Sequence, residues 1–323
     1  MKTRMIVFLM FLSLFYVLNF SMAAEPPYPT KPIEIMVGFP PGAFTDLATR
    51  MIAENSKKYL GQEIVVINKP GATGGAALTL ISKAKPDGYT LGAVTDVTSI
   101  SLPFLQKVPY DPLEDFTFIN QTGTIDFGVV VLTDSPFRSF KELTTFAKAN
   151  PDKLTVSVIS GSSNDIALQA VALFEGIKIR IVPFTGAAPA VTALLGGHVM
   201  ASSTGFSGFS SHLKSGAMRL LSVFGDERLD EYPGVPTLKE LGYPLTFQSW
   251  HIIVGPKNMD KSIVKKLSDV FSKTIESADF IKFAKGLDTW AKKPLSGDGL
   301  KEALIQRSKK NEELFKKLGM GIK

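Results

Sequence analysis

The sequence predicts an α/β protein of two lobes, joined by a two-segment hinge with a ligand cleft between them. Three observations predict it. Short β-rich runs alternate with helical patterns, this alternation stops and restarts once, and everything after Pro256 is helical in pattern. In the first cycle, Ile33 to Phe39 reads as a strand, Asp46 to Leu60 as a helix, Glu63 to Ile67 as a strand, Gly74 to Lys83 as a helix and Tyr89 to Val94 as a third strand. This is one half of an open sheet, whose loops at the strand C-termini are free to hold a ligand. In the second cycle, strands are expected at Gly128 to Thr133, Leu154 to Ile159, Lys178 to Pro183, Val199 to Ser203 and Arg219 to Phe224, with helices over Ser139 to Ala149 and Asp165 to Glu175.

The tail carries apolar residues at helical spacing, such as Ile263, Leu267, Val270 and Phe271, and a purely helical tail cannot build a sheet of its own. It is therefore expected to pack back on the first lobe. The chain then crosses between lobes twice, near Thr122 to Phe127 and near Thr246 to Ile252. The expected division is 25–124 plus 249–323 for lobe 1 and 125–248 for lobe 2. Two adjacent extended crossings suit opening and closing around a solute.

The first 24 residues read as a leader outside the folded protein. Lys2 and Arg4 form a basic start, Met5 to Phe20 an apolar run, and Ser21, Ala23 and Ala24 a small-residue exit for cleavage. The run falls short of the ~20 residues a spanning helix needs, so export to the periplasm is expected. The chain has no cysteine, which rules out disulfides and leaves its core to stabilise it alone. Taking Lys2 and Arg4 from the 36 basic residues leaves 34 against 30 acidic. That excess is too small and too scattered to argue for nucleic acid.

Three loops concentrate donors at helix starts. In Phe39-Pro40-Pro41-Gly42-Ala43-Phe44-Thr45-Asp46, the prolines stiffen the turn, Gly42 permits an unusual backbone angle, and Thr45 or Asp46 can cap the following helix. Backbone N–H groups at such a helix start favour an anion. Asp46 would repel a carboxylate, so capping or holding a bridging water is its expected role. The second loop, Asn68 to Gly75, superficially resembles a phosphate loop but lacks the Gly-Lys-Ser/Thr ending, which excludes nucleotide binding on that motif. Its Gly71 and Gly74 allow close backbone approach and Thr73 supplies a hydroxyl. The third, Ser160-Gly161-Ser162-Ser163-Asn164, lies in the second cycle.

Catalytic constellations are poor. His198, His212 and His251 are the only histidines, none in metal-ligand spacing, so no metal and no cofactor is expected, and each reads as a surface or structural residue. A hydrolase built on Ser162 or Ser163 would lack both a base and the Gly-x-Ser-x-Gly elbow. Binding without turnover is the expectation.

Along these loops the chain resembles the Bug-type solute-binding proteins of tripartite tricarboxylate transporters. The matching stretches are Tyr28 to Ile33, Phe39 to Asp46, Asn68 to Gly74 and Pro86 to Leu91. They continue with Pro109-Tyr110-Asp111-Pro112 ahead of Asp115-Phe116, Leu194 to Val199, and Val235-Pro236-Thr237 ahead of Glu240 and Gly242. The resemblance implies a type II periplasmic binding fold and a carboxylate-bearing solute: a di- or tricarboxylate, an acidic amino acid or an aromatic acid. It also implies delivery to a membrane carrier of a large and a small integral subunit, by a receptor that is a monomer. Presentation of the ligand to a membrane sensor kinase is the alternative role. Carried onto this chain, the binding residues are Phe39, Pro40, Gly42, Ala43, Phe44, Thr45, Asp46, Gly71, Thr73, Gly74 and Thr95, with Ser162, Ser163, Asn164, Thr185 and Thr204 closing from lobe 2. The chain departs from the family pattern at Ala43 and Thr73, each standing for a glycine, and at Phe44, which brings a ring to a variable position. These changes would narrow or redirect the site, which counts against citrate and favours an aromatic or less polar acid.

Overall fold

The computed structural model describes residues 28–317 and 319; the leader expected over the first 24 residues lies outside them. From Lys31 onward the chain forms one body. Strand β1 (Ile33–Val37) is followed by helix α1 (Phe44–Leu60), β2 (Ile64–Asn68), a short 3-10 turn (Ala72–Gly74), α2 (Gly75–Ile81) and β3 (Thr90–Thr95). Two short helices, α3 (Asp96–Ile100) and α4 (Leu102–Leu105), lead into β4 (Phe116–Leu132), a strand of 17 residues. Then come α5 (Phe140–Ala149), β5 (Thr155–Ile159), α6 (Ser163–Glu175), β6 (Arg180–Phe184), α7 (Ala187–Leu195), β7 (Ala201–Gly205), α8 (Ser210–Lys214) and β8 (Met218–Val223). Strand β9 (Gln248–Pro256) precedes the tail helices α9 (Lys261–Ile275), α10 (Ala278–Gly286) and α11 (Gly297–Lys317).

The same sheet plan occurs twice. One sheet runs β2-β1-β3-β9-β4 and the other β6-β5-β7-β4-β8. In each, the first strand is flanked by two parallel neighbours, and a returning antiparallel strand joins the third to the fifth. Strand β4 belongs to both: Phe116 to Asp126 pair with β9, and from Phe127 or Gly128 onward it pairs with β7 and β8. The strand thereby joins the lobes. The β4/β9 ladder slips register at Phe118/Asn120 and again at Gln121/Gly123. Such bulges bend a strand and interrupt its pairing, here on the first sheet's side of the change of partners at Asp126/Phe127.

Each lobe has its own apolar core. Leu78, Ile81, Val94, Phe118, Ile252 and Val254 are buried in the first, and Val129, Val156, Val158, Leu168, Leu221 and Phe224 in the second. The tail returns to the first lobe: α9 packs on α1 and β4, and Leu300 and Leu304 of α11 sink among Leu78, Ile100 and Phe118. The end of that helix goes further, since Phe315 is buried in the second lobe's core.

Some elements differ from the sequence reading. Helix α1 starts at Phe44, two residues before Asp46. Helix α7 was not foreseen, because Pro189 in its sequence argues against a helix; it lies in the first turn, where the missing N–H has no helical partner to lose. Strand β4 begins twelve residues before Gly128, through a run of Asn120, Gln121, Thr122 and Thr124 that looks like a polar loop. Asn120, Gln121 and Thr122 are nonetheless buried. Asn120 donates to Ser272 Oγ (2.9 Å), Gln121 donates to Thr124 Oγ1 (2.9 Å), and Thr122 donates to the His251 carbonyl (3.4 Å).

Candidate functional site

The site is built where strands end. At the end of β1, Gly42 takes a left-handed backbone (φ 82°), and its N–H donates to Asp46 Oδ2 at 2.9 Å. Asn68 Nδ2, at the end of β2, donates to Asp46 Oδ1 (2.9 Å) and to the Phe39 carbonyl (3.0 Å). Arg50 reaches back one turn, donating from Nε to Asp46 Oδ1 (3.0 Å) and from Nη2 to Asn68 Oδ1 (3.0 Å). Burial raises the Asp46 carboxyl, but the hydrogen bonds from Arg50, Gly42 and Asn68 outweigh it and hold Asp46 below the usual carboxylate range. Asp46 is thus a brace, both oxygens engaged, locking the first loop to the second.

Helix α1 has Ala43 at its N-cap and no side-chain cap. The N–H groups of Phe44, Thr45 and Asp46 have no acceptor among the described residues. By contrast, α5, α9 and α10 are capped by Ser139, Asp260 and Ser277. The unsatisfied donors carry the positive end of a 17-residue helix.

The second lobe repeats the device. Gly161 (φ 70°) donates its N–H to Asp165 Oδ2 at 2.9 Å, again four residues on, and α6 starts without a side-chain cap. The N–H groups of Ser163, Asn164 and Asp165 have no acceptor among the described residues. Ser162 Oγ donates to the Ile159 carbonyl (2.6 Å) and to Asn164 Oδ1, and Asn164 Nδ2 donates to the Ser203 carbonyl. Those two side chains are engaged within their lobe, whereas the buried Ser163 hydroxyl makes no hydrogen bond to a described residue. A methyl placed on Gly161 would stand 3.8 Å from Thr73 Oγ1, so the loops of the two lobes face one another at near contact.

The second loop is held under strain. Gly71, Ala72, Thr73 and Gly74 all have positive φ (139°, 48°, 53° and 90°), which costs the non-glycine residues about 1–2 kcal/mol each. Thr98 Oγ1 fixes this turn by donating to the Thr73 carbonyl at 2.6 Å, and Thr95 Oγ1 lies 3.2 Å from Thr98 Oγ1. Strain that the surroundings pin in place is common at ligand clamps.

The remaining sequence-derived residues scatter. Phe39 and Ala43 are half-buried, and Pro40 and Gly42 are exposed. The Phe44 ring packs edge-on against His251 (4.6 Å between centroids) and is stacked 6.1 Å from Phe283. It fills the space over Gly123, where an added Cβ would come within 2.6 Å of it. Thr45 is buried, its hydroxyl bonded to His251 Nδ1. Thr185 is exposed at the end of β6, and Thr204 is buried with its hydroxyl on the Gly205 carbonyl (3.2 Å). Arg50 and His251 were missed as parts of the site. The Asp46–Arg50 spacing of four, which puts both on one helix face, was the available signal for the first; nothing local in the sequence pointed to the second.

A cavity of about 490 Å³ lies against the crossing strands, lined by Thr124, Asp126 and Gln248, by Phe206, by the loop from Asp226 to Glu231, and by the segment from Lys285 to Lys292. Lys292 Nζ meets Asp230 Oδ2 across it at 2.6 Å. Burial, assisted by Asp226, pushes the Asp126 carboxyl up against the opposing effect of Gln248. Six carboxylates against three cations line this cavity, so its field repels acids, and the two helix starts, each with a single carboxylate already engaged by a loop glycine N–H, are the better place for a carboxylate. Among the described residues no group of three or more His, Asp or Glu side chains is placed to hold a metal, and no helix is long and apolar enough to cross a membrane.

Comparison with known proteins establishes the family. Residues 48–320 match the family model described as tripartite tricarboxylate transporter family receptor. The chain is 34% identical to the UPF0065 protein in the gbd 5' region of Cupriavidus necator, over 93% of this chain and 91% of that one. The solved periplasmic binding protein BugD superposes with a TM-score of 0.76 at 28% identity, covering 91% of this chain and 99% of BugD. MatC from Rhodopseudomonas palustris, solved with bound malate, shares the fold with a TM-score of 0.74 at 24% identity, over 89% of this chain and 99% of that one. With so much of its length matched, the chain belongs to the tripartite tricarboxylate transporter receptor family, a family of periplasmic solute-binding proteins and not of enzymes.

Proposed function

We propose that this protein is exported by its leader to the periplasm. There its lobes, 25–124 plus 249–323 and 125–248, close on a small organic carboxylate, which the monomeric receptor then delivers to the large and small membrane subunits of its transporter. The observation that carries this reading is the pair of uncapped helix starts, one from each lobe, that face one another with free N–H donors and braced aspartates behind them. A hydrogen bond to a charged group contributes about 1.5–3 kcal/mol. A few such bonds, less the cost of closure, correspond to a dissociation constant roughly in the micromolar range. Two anion-favouring ends favour an acid with two carboxylates over a monoacid. The Phe44 ring, seated on Gly123 and His251, then shapes the first lobe's wall without being the main ligand contact.

The test is thermal melting of refolded, ligand-stripped protein against malate, citrate, other di- and tricarboxylates, acidic amino acids and aromatic acids. A ligand at about a hundred times its dissociation constant adds roughly 2.7 kcal/mol, which raises the midpoint by several degrees. A flat response to every acid from well-folded protein would sink the carboxylate reading. Gly42→Val provides a second arm. No atom stands within 4 Å of an added Cβ there, so the fold tolerates the side chain, at about 1–2 kcal/mol for the left-handed backbone. Acid binding should weaken at least tenfold, and unchanged affinity would place the anion elsewhere.

A further inference from the structure

Helix α11 is anchored in one lobe and ends in the other. Leu300 and Leu304 are fully buried in the first lobe's core. Eleven residues beyond Leu304, about 16 Å along the helix axis, Phe315 is 1% exposed within the continuous core of the second lobe, beside Phe127 and Phe247 in the same cluster. Phe104 of α4, on the first-lobe side of the crossing, packs against that core too, and its ring lies edge-on to Phe315 with centroids 6.1 Å apart. Between anchor and tip, Arg307 holds the crossing strand itself: Nη2 donates to the Gln248 carbonyl at 2.7 Å, and the guanidinium lies 4.2 Å from the Trp250 ring centroid. A rotation of the lobes about the point where β4 changes partners, at Asp126/Phe127, would move the Phe315 seat while Leu300 and Leu304 stay fixed. Burial of the ring therefore depends on the angle between the lobes.

We propose that the end of α11, through Phe315 and its neighbour Phe104, is a clasp across the hinge that holds the lobes at the angle where the two anion loops face one another. It thereby sets the receptor's resting open–closed balance. The inference rests on the receptor reading for its purpose but not for its test. Because a ligand that needs the closed form binds with an affinity scaled by the closed fraction, a residue far from the cleft then tunes affinity.

The experiment measures the distance between the lobes in ligand-stripped protein. The sequence has no cysteine, so Glu54→Cys on α1 and Lys141→Cys on α5, both exposed, give two spin-label sites and no others. Phe315→Ala is expected to lengthen and broaden the distance distribution by pulsed electron–electron dipolar spectroscopy, and Phe315→Leu to restore most of it. Phe104→Ala, at a half-buried ring, should give the same shift in milder form if Phe315→Ala fails to fold. Where an acid has been identified, its apparent dissociation constant should rise roughly threefold or more. An unchanged or shortened distribution in folded variants, with only the melting temperature lowered, would make Phe315 an ordinary core residue and overturn the clasp. A flat acid panel beside a lengthened distribution would overturn the ligand reading alone.

Discussion

Replacing Asp96 by alanine is expected to lower the melting temperature by about ten degrees. Asp96 lies at the start of α3, 1% exposed. Its Oδ2 accepts from Arg307 Nη2 at 2.8 Å, and its Oδ1 accepts the Trp250 N–H at 2.8 Å and the Ser249 hydroxyl at 3.4 Å. The Arg307 side chain is only 19% exposed and covers the Trp250 ring. Removing the carboxylate leaves the Trp250 N–H without its acceptor and the guanidinium with only the Gln248 carbonyl to receive its positive charge. Breaking a buried pair from one side costs about 3–5 kcal/mol, or roughly 2–4 °C per kcal/mol in a chain of this size. The double variant Asp96→Ala with Arg307→Met should recover much of the loss, because it removes the stranded charge as well. Equal melting temperatures for Asp96→Ala and the parent would show that the pair is solvated and contributes nothing.

The elements of each lobe were legible in the sequence more fully than the extent of the strands that join them. Strand β1, helix α5 with its Ser139 cap and helix α9 each carry a local period and a local start signal, and a sequence reader finds them. The two-lobe plan followed from counting how often strand and helix alternate. The two crossings were expected as extended segments, near Thr122 to Phe127 and Thr246 to Ile252, but their full length was not, because Asn120 and Gln121 look polar and loop-like until β9 and the tail supply their hydrogen bonds. At the candidate site, the loops could be singled out because proline, glycine and helix-start residues announce a rigid turn. What each side chain does there was not found. Phe44 turns toward a histidine more than two hundred residues away, Asp46 takes up the N–H of Gly42, and Thr98, which the sequence did not single out, fixes the second loop. Charge at the cavity against the crossing strands was hidden for the same reason, since Asp126, Asp226 and Lys292 meet only once the chain is folded.

Acidification from pH 7 to pH 4 is expected to destabilise this protein chiefly through His251. The ring lies 3% exposed on β9, with Nδ1 bonded to the Thr45 hydroxyl, the Phe44 ring against it, and Nε2 without a partner among the described residues. Burial pushes its pKa down from 6.5 to about 3. The unfolded chain therefore takes up a proton at this histidine below about pH 6.5, while the folded chain refuses it until about pH 3. The stability associated with the neutral ring is complete above pH 6.5 and falls as the pH drops toward 3, by about 1.4 kcal/mol per pH unit. Between pH 7 and pH 4 the loss is about 3 kcal/mol. His251→Gln keeps a polar partner for Thr45 but cannot be protonated, so the gap between parent and variant in urea unfolding free energy should shrink by that amount over this window, or change sign. Carboxylates such as Asp46, held low in the folded state, also weaken the fold in acid, but they do so in both proteins and at lower pH. Parallel curves from pH 7 to pH 4 would mean that the ring is hydrated and titrates normally in the folded state. The Thr45 contact would then be too loose to fix the first loop.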